Sequence, residues 1–175
     1  MAKAAPHTAI ILMGVSGCGK TTVAKLLAER LGRPLLEGDD FHPKRNVEKM
    51  SHGMPLNDDD REPWLRAIAA AIDEARRGGR QVIVTCSALK RTYRNLLVDG
   101  HPDVTFVYLK GSKALIADRL KHRAGHFMPA GLLDSQFATL EEPGVGEPAI
   151  TVPIDRTPEA IADDILKTLG VDARR

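Results

Sequence analysis

The chain has 175 residues, 43% hydrophobic, 27% charged and only 4% aromatic, with a formal net charge of +2. It is long enough for one domain with a sizeable core, and its composition is that of a soluble globule. So small a charge is too weak to argue for nucleic-acid or membrane-surface partners, though it suits small anions, and few aromatics argue against a stacking platform for single strands.

The first expected element is an apolar strand over residues 8–13. Directly after it comes Gly14-Val15-Ser16-Gly17-Cys18-Gly19-Lys20-Thr21, a complete G-x-x-x-x-G-K-[ST] phosphate loop. A helix pattern follows, with Val23, Leu26, Leu27 and Leu31 as its apolar stripe and a stop at Gly32 and Pro34. Strand, loop and helix in this order turn a string match into a mechanism. Glycines let backbone N–H groups face an anion, and the helix end adds donors and partial positive charge. Lys20 is expected to hold the β- and γ-phosphates and Thr21 to ligate magnesium. Gly14, Val15, Ser16, Gly17, Cys18, Gly19, Lys20, Thr21 and Thr22 are therefore assigned to an ATP molecule.

The two cysteines, Cys18 and Cys86, lack metal-site spacing, and a disulfide between them would invade the phosphate loop. Both are expected to be reduced thiols of a cytoplasmic protein. Residues 1–7 lack the apolar core of a signal peptide, and no run approaches a membrane span.

Beyond the loop, strands and helices alternate. A short strand is expected at 34–37, then a polar, irregular stretch over 38–61. A helix over 62–77 buries Trp64, Leu65, Ile68 and Ile72 and ends at Gly78-Gly79. A strand over 81–86 precedes a short helix at 90–97, and an alternating strand covers 104–109. Ser112 caps a helix with Leu115, Ile116 and Leu120 inward. Residues 121–142 read as a mobile cover. A strand at 149–152 precedes a helix opened by Thr157-Pro158 and closed at Gly170. This pattern predicts an α/β fold: a nucleoside-monophosphate-kinase-like three-layer domain over 1–175, with a five-stranded parallel sheet, helices on both faces and a lid at about 121–142.

In such sheets ligands bind beyond the carboxyl ends of the strands, so the acceptor groups are sought there. Asp39, one step past the second strand, is placed to orient or deprotonate an attacking hydroxyl, with Asp40 and His42 beside it. Asp58-Asp59-Asp60 suits a helix start, but Arg61 does not, and its guanidinium fits a substrate carboxylate. Ser87 either caps the next helix or faces the substrate, and Lys90 and Arg94 share a helix face as a candidate cationic wall. Arg119, Lys121, His122, Arg123 and His126 crowd nine positions. They are either a solvated face or a lid whose Arg123 neutralises a transferring phosphoryl group, with Gly125 as hinge. The third strand carries no terminal Asp, so Mg2+ is expected to lean on Thr21, Asp39 and the phosphates.

Taken together, these blocks resemble the bacterial gluconate kinase family. The resemblance rests on the phosphate loop and on Glu37-Gly-Asp-Asp-Phe-His-Pro43, Gly53-Met-Pro-Leu-Asn-Asp-Asp-Asp-Arg-Glu-Pro-Trp-Leu65 and Cys86-Ser-Ala-Leu-Lys-Arg-Thr-Tyr-Arg94. Phe106-Val-Tyr-Leu-Lys-Gly111, Arg119-Leu-Lys-His-Arg-Ala-Gly-His-Phe127 and Leu133-Asp-Ser-Gln-Phe-Ala-Thr-Leu-Glu-Glu-Pro143 continue it. It implies ATP-dependent phosphorylation of D-gluconate at the 6-hydroxyl, a shikimate-kinase-like architecture and a homodimer. Two other readings stand beside it: a kinase of the same fold acting on shikimate, adenylylsulfate or a nucleotide, and a nucleotide-dependent binding module with no acceptor.

Overall fold

The computed structural model describes residues 7–123 and 130–173. Its strands are β1 (Ala9–Met13), β2 (Leu35–Glu37), β3 (Val82–Thr85), β4 (Val104–Lys110) and β5 (Ala149–Pro153). Its helices are α1 (Lys20–Leu31), α2 (Lys44–Ser51), α3 (Asp58–Arg77), α4 (Arg91–Val98), α5 (Lys113–Lys121), α6 (Ala130–Thr139) and α7 (Pro158–Leu169). The strands form one sheet in the order β2-β3-β1-β4-β5, parallel throughout.

All five residues of β1 are buried, as a strand covered on both faces requires. Alternate side chains divide between two cores. Ile10 and Leu12 pack with Val23, Leu27, Ile161 and Ile165 from α1 and α7. Ala9, Ile11 and Met13 pack with Trp64, Leu65, Ile68 and Tyr93 from α3 and α4. The chain leaves β1 toward β2 on one side and later reaches β4 on the other, so the strand order reverses around β1. The crevice this leaves at the carboxyl ends is where the phosphate loop sits.

The sheet and the main helices match expectation, including the caps. Ser112 Oγ accepts from Leu115 N at 3.1 Å, and Thr157 Oγ1 from Ala160 N at 3.2 Å. Two expectations need correction. The stretch 38–61 is not irregular: it holds a 3₁₀ turn (Gly38–Phe41), α2 and the first turn of α3. The sequence Lys-Arg-Asn-Val-Glu-Lys-Met-Ser of α2 buries only Asn46, so it shows no apolar stripe to read. Helix α3 starts at Asp58 rather than 62, because Asn57 and Asp60 form a capping box: Asp60 N donates to Asn57 Oδ1 at 2.8 Å and Asn57 N to Asp60 Oδ2 at 3.0 Å. Pro63 therefore lies in the second turn, not the first. Within the segment 121–142, read as a cover, the described residues include α6, whose Leu132 and Leu133 are buried.

Candidate active site

The phosphate loop is anchored from three sides. Gly14 N donates to Ser87 O at 3.2 Å, tying the loop to the segment after β3. Val15 and Cys18 are buried in the core beneath it. Gly17 adopts φ +84°, a left-handed backbone that favours glycine, and a Cβ there would lie 2.8 Å from the Leu120 side chain of α5, which would have to shift. Lys20 Nζ donates to Gly14 O at 2.9 Å and Val15 O at 3.1 Å, which holds its charge over the loop. From α6, Gln136 closes the loop's outer edge. Its Oε1 accepts from Ser16 N at 2.6 Å, and its Nε2 donates to Ser16 Oγ at 3.0 Å.

Beside the loop, Thr21 Oγ1 donates to Glu37 Oε2 at 3.2 Å. Thr85 Oγ1 donates to the same oxygen at 2.6 Å and accepts from Gly38 N at 3.1 Å. A Cβ on Gly38 would stand 2.1 Å from Thr85 O, so only glycine lets the exit of β2 lie against the end of β3. That close approach delivers Asp39 to the mouth of the loop. Thr21, Glu37 and Asp39 thus present hard oxygen atoms along one wall.

The acceptor side grows from α3 and the 3₁₀ turn. Trp64 Nε1 donates to Gly38 O at 2.7 Å, and the His42 ring stacks on the indole with centroids 4.2 Å apart and planes 13° apart. Burial lowers the His42 pKa below the ordinary imidazole value; the Asp39 carboxylate opposes this and Arg61 adds to it. Arg61 is only 9% exposed. Its Nη1 donates to Tyr93 Oη at 3.1 Å, and the Tyr93 hydroxyl donates to the Asp58 carboxylate, which also accepts from Lys90 Nζ at 3.1 Å.

These elements border one cleft of about 1170 Å³. On the phosphate side it is lined by Ser16, Gly17, Cys18, Gly19, Lys20, Thr21 and Thr22. Asp39, Asp40, His42, Arg61 and Ser87 line the acceptor side, and Arg119 and Arg123 the covering side. Arg119 Nη2 donates to Ile154 O at 2.5 Å, pinning α5 to the turn after β5. Gly14 and Val15, the first two residues of the loop, are not in the cleft lining; their carbonyls hold Lys20 Nζ. A smaller cavity of about 420 Å³, lined by Leu31, Arg33, Gly79 and Val171 among others, includes none of the predicted residues. His126 and the Gly125 hinge lie outside the described residues.

Lys90 and Arg94 are not the cationic wall the sequence suggested. Lys90 supports Asp58 and lies outside the cleft lining. Arg94 is 1% exposed and forks onto Glu147, with Nε at 2.7 Å from Oε1, while Nη1 donates to Ala88 O at 2.8 Å. Ser87 does not cap α4, whose N-cap residue is Lys90. Arg94→Ala should cost about 3 kcal/mol of stability, because it leaves the buried Glu147 carboxylate without its counter-charge and with Gly144 N as its remaining donor among the described residues; urea unfolding measures this. Arg94 holds the Glu147 carboxyl below the ordinary glutamate range, with burial opposing. A lowered folded-state pKa stabilises above the unfolded value and loses that contribution as pH falls through the folded one. The stability gap between wild type and Arg94→Ala should therefore narrow in acid.

Sequence reasoning gave no role to Glu37, Gln136 or Asn46, and it read Trp64 only as a core residue. Glu37 had a signal, as the last residue of β2 and hence at a strand's carboxyl end. Gln136 had none, since its partner Ser16 is 120 residues away. Both cysteines are free thiols, and both are buried. Burial pushes the Cys86 thiol up to about 12, so it is no nucleophile. No helix among the described residues is long and apolar enough to cross a membrane.

Comparison with known proteins adds the following. A family model described as an AAA domain matches residues 10–143. The thermoresistant gluconokinase of Escherichia coli (strain K12) is 45% identical over 93% of this chain and 94% of its own length. The gluconokinase of Gluconobacter oxydans (strain 621H) is 49% identical over 90% and 89%. The crystal structure of a gluconokinase from Sinorhizobium meliloti 1021 superposes with a TM-score of 0.86 at 42% identity, covering 95% of this chain and 94% of that one. Shikimate kinase from Aquifex aeolicus vf5 shares the fold at 18% identity, with a TM-score of 0.64 over 93% and 96%.

Proposed function

The chain belongs to the gluconokinase family, and from that premise we infer that it transfers the γ-phosphoryl group of ATP to the 6-hydroxyl of D-gluconate, yielding 6-phospho-D-gluconate and ADP. The observation that carries the reading is that Lys20, Asp39 and Arg61 line a single cleft. A triphosphate and a carboxylate-bearing acceptor can then meet within it.

Phosphoryl transfer asks a protein for positioning and charge stabilisation more than for covalent chemistry. The loop amides and Lys20 hold the β- and γ-phosphates. Asp39 accepts a hydrogen bond from the attacking hydroxyl and takes its proton as the new P–O bond forms and the bond from the γ-phosphorus to the ADP oxygen breaks. Arg123 adds positive charge on the covering side, and Arg119 belongs with the nucleotide. Arg61 grips the sugar carboxylate, while Asp40, His42 and Ser87 offer partners to the hydroxyls. Residues 121–142 act as the lid of a single domain and exclude water from the transfer, and His126 is assigned to the acceptor within it.

Mg2+ suits the oxygen donors at the end of β2 and the start of α1. Thr21 and Asp39 would hold it, with Glu37 bonded to the Thr21 hydroxyl as a further carboxylate. When bound, the ion neutralises phosphate charge. The same reading makes the protein a cytoplasmic homodimer that acts on a small molecule without nucleic-acid or membrane partners. The family resemblance and the modest net charge of +2 support this.

The test is product identification by mass spectrometry with ATP and a mixture of sugar acids, shikimate and adenylylsulfate. Phosphogluconate supports the reading. Another phosphorylated acceptor replaces it with a sister kinase, and nucleotide binding without product leaves a binding module. Arg61→Ala should raise the KM for gluconate about 10- to 100-fold, with the KM for ATP unchanged. Equal shifts in both would remove Arg61 from the acceptor.

A further inference from the structure

We propose that Asn46 fixes the tautomer of His42, so that the imidazole meets the acceptor as a neutral Nε2–H donor. The inference rests on the reading of the cleft as a sugar-acid site. Asn46 is the one buried residue of α2 and is 0% exposed. Its Nδ2 lies 2.8 Å from the carbonyl oxygen of Asp60 in α3 and 3.2 Å from His42 Nδ1. An amide nitrogen has two hydrogens and no acceptor capacity.

The Asp60 carbonyl sets the orientation of the amide. Turned the other way, Asn46 Oδ1 would face that carbonyl oxygen, acceptor against acceptor. As placed, Oδ1 is buried with no hydrogen-bond partner among the described residues. An orphaned buried oxygen is costly, so the fold tolerates it for the sake of the two donors at the other end. With Nδ2 donating, His42 Nδ1 must accept, and the proton of the neutral ring lies on Nε2.

The rest of the ring is equally constrained. One face lies on Trp64, and Nε2 is the remaining polar atom of a residue that lines the cleft. Asp39 and Asp40 offer acceptors there and Arg61 offers donors. A neutral Nε2–H adds a directional donor for a hydroxyl or carboxylate oxygen. It does so without the imidazolium that would compete with the hydroxyl for Asp39. Asn46 is thus a positioning residue, acting through His42.

Two-bond proton–nitrogen correlation spectra of the 15N-labelled protein at neutral pH read the tautomer directly, the His42 signals being identified by their loss in His42→Gln. Nδ1 should be unprotonated and Nε2 protonated in wild type, and Asn46→Ala should mix the two forms. A dominant Nδ1–H form in wild type overturns the proposal. Kinetics test the consequence without disturbing Asn46. The glutamine amide nitrogen reaches as far as Nε2, whereas that of asparagine stops near Nδ1. His42→Asn should raise the KM for gluconate about ten times further than His42→Gln, with ATP unaffected. Equal effects of the two variants also overturn it. If gluconate is no substrate at all, the family-based reading fails, while the spectra still decide the Asn46 contact.

Discussion

Replacing Lys20 with alanine is expected to lower kcat about a thousandfold or more while the protein stays folded. The side chain packs in no core. Among the described residues its Nζ bonds only to the loop, at the Gly14 and Val15 carbonyls and, at 3.9 Å, the Cys18 thiol. Removing it therefore leaves both hydrophobic layers intact. What disappears is a positive charge held over the loop, where negative charge redistributes between the phosphates during transfer. That stabilisation is larger in the transition state than in the ground state, so the loss appears in kcat as well as in ATP affinity. Steady-state kinetics with a thermal melt check both parts. A folded variant with near-normal turnover would remove Lys20 from the chemistry.

Asp39→Asn should lower kcat about a hundredfold or more, with the KM for ATP shifted less than threefold. The amide keeps the shape and one acceptor oxygen but cannot take the hydroxyl proton. Asp39 enters the cleft through the 3₁₀ turn on Gly38, which is held by Thr85 Oγ1 at 3.1 Å and by the Trp64 indole at 2.7 Å. Those supports do not involve the carboxylate, so the substitution tests chemistry rather than architecture. A defect confined to ATP affinity would move Asp39 to the nucleotide. Paired with Arg61→Ala, the variant separates the reacting end of the acceptor from its carboxylate end.

The elements with a strong local signature were legible in advance. Strand β1 is a continuous apolar run, α1 has a regular stripe, and α5 and α7 begin at Ser112 and Thr157 caps. Helix α2 was not legible, because it buries a single polar residue and so lacks hydrophobic periodicity. The start of α3 was read two ways, at 62 by the apolar spacing and at Asp58–Asp60 as a helix start, and the Asn57–Asp60 box places it at Asp58. A cluster of three aspartates reads equally well as a loop and as a first turn.

By itself the amino-acid sequence determined the phosphate loop, the parallel α/β order and the strand ends where ligands gather, since these follow from local backbone chemistry and hydrophobic spacing. It could not tell which cations face the cleft. Arg61, Lys90 and Arg94 look alike as side chains, and their roles depend on partners distant in sequence. Arg94 finds Glu147, 53 residues on, and leaves the site; Lys90 finds Asp58; Arg61 stays, held by Tyr93. Only tertiary packing decided among them. The free energy of a buried charge is set by what folds against it, and no local pattern carries that information.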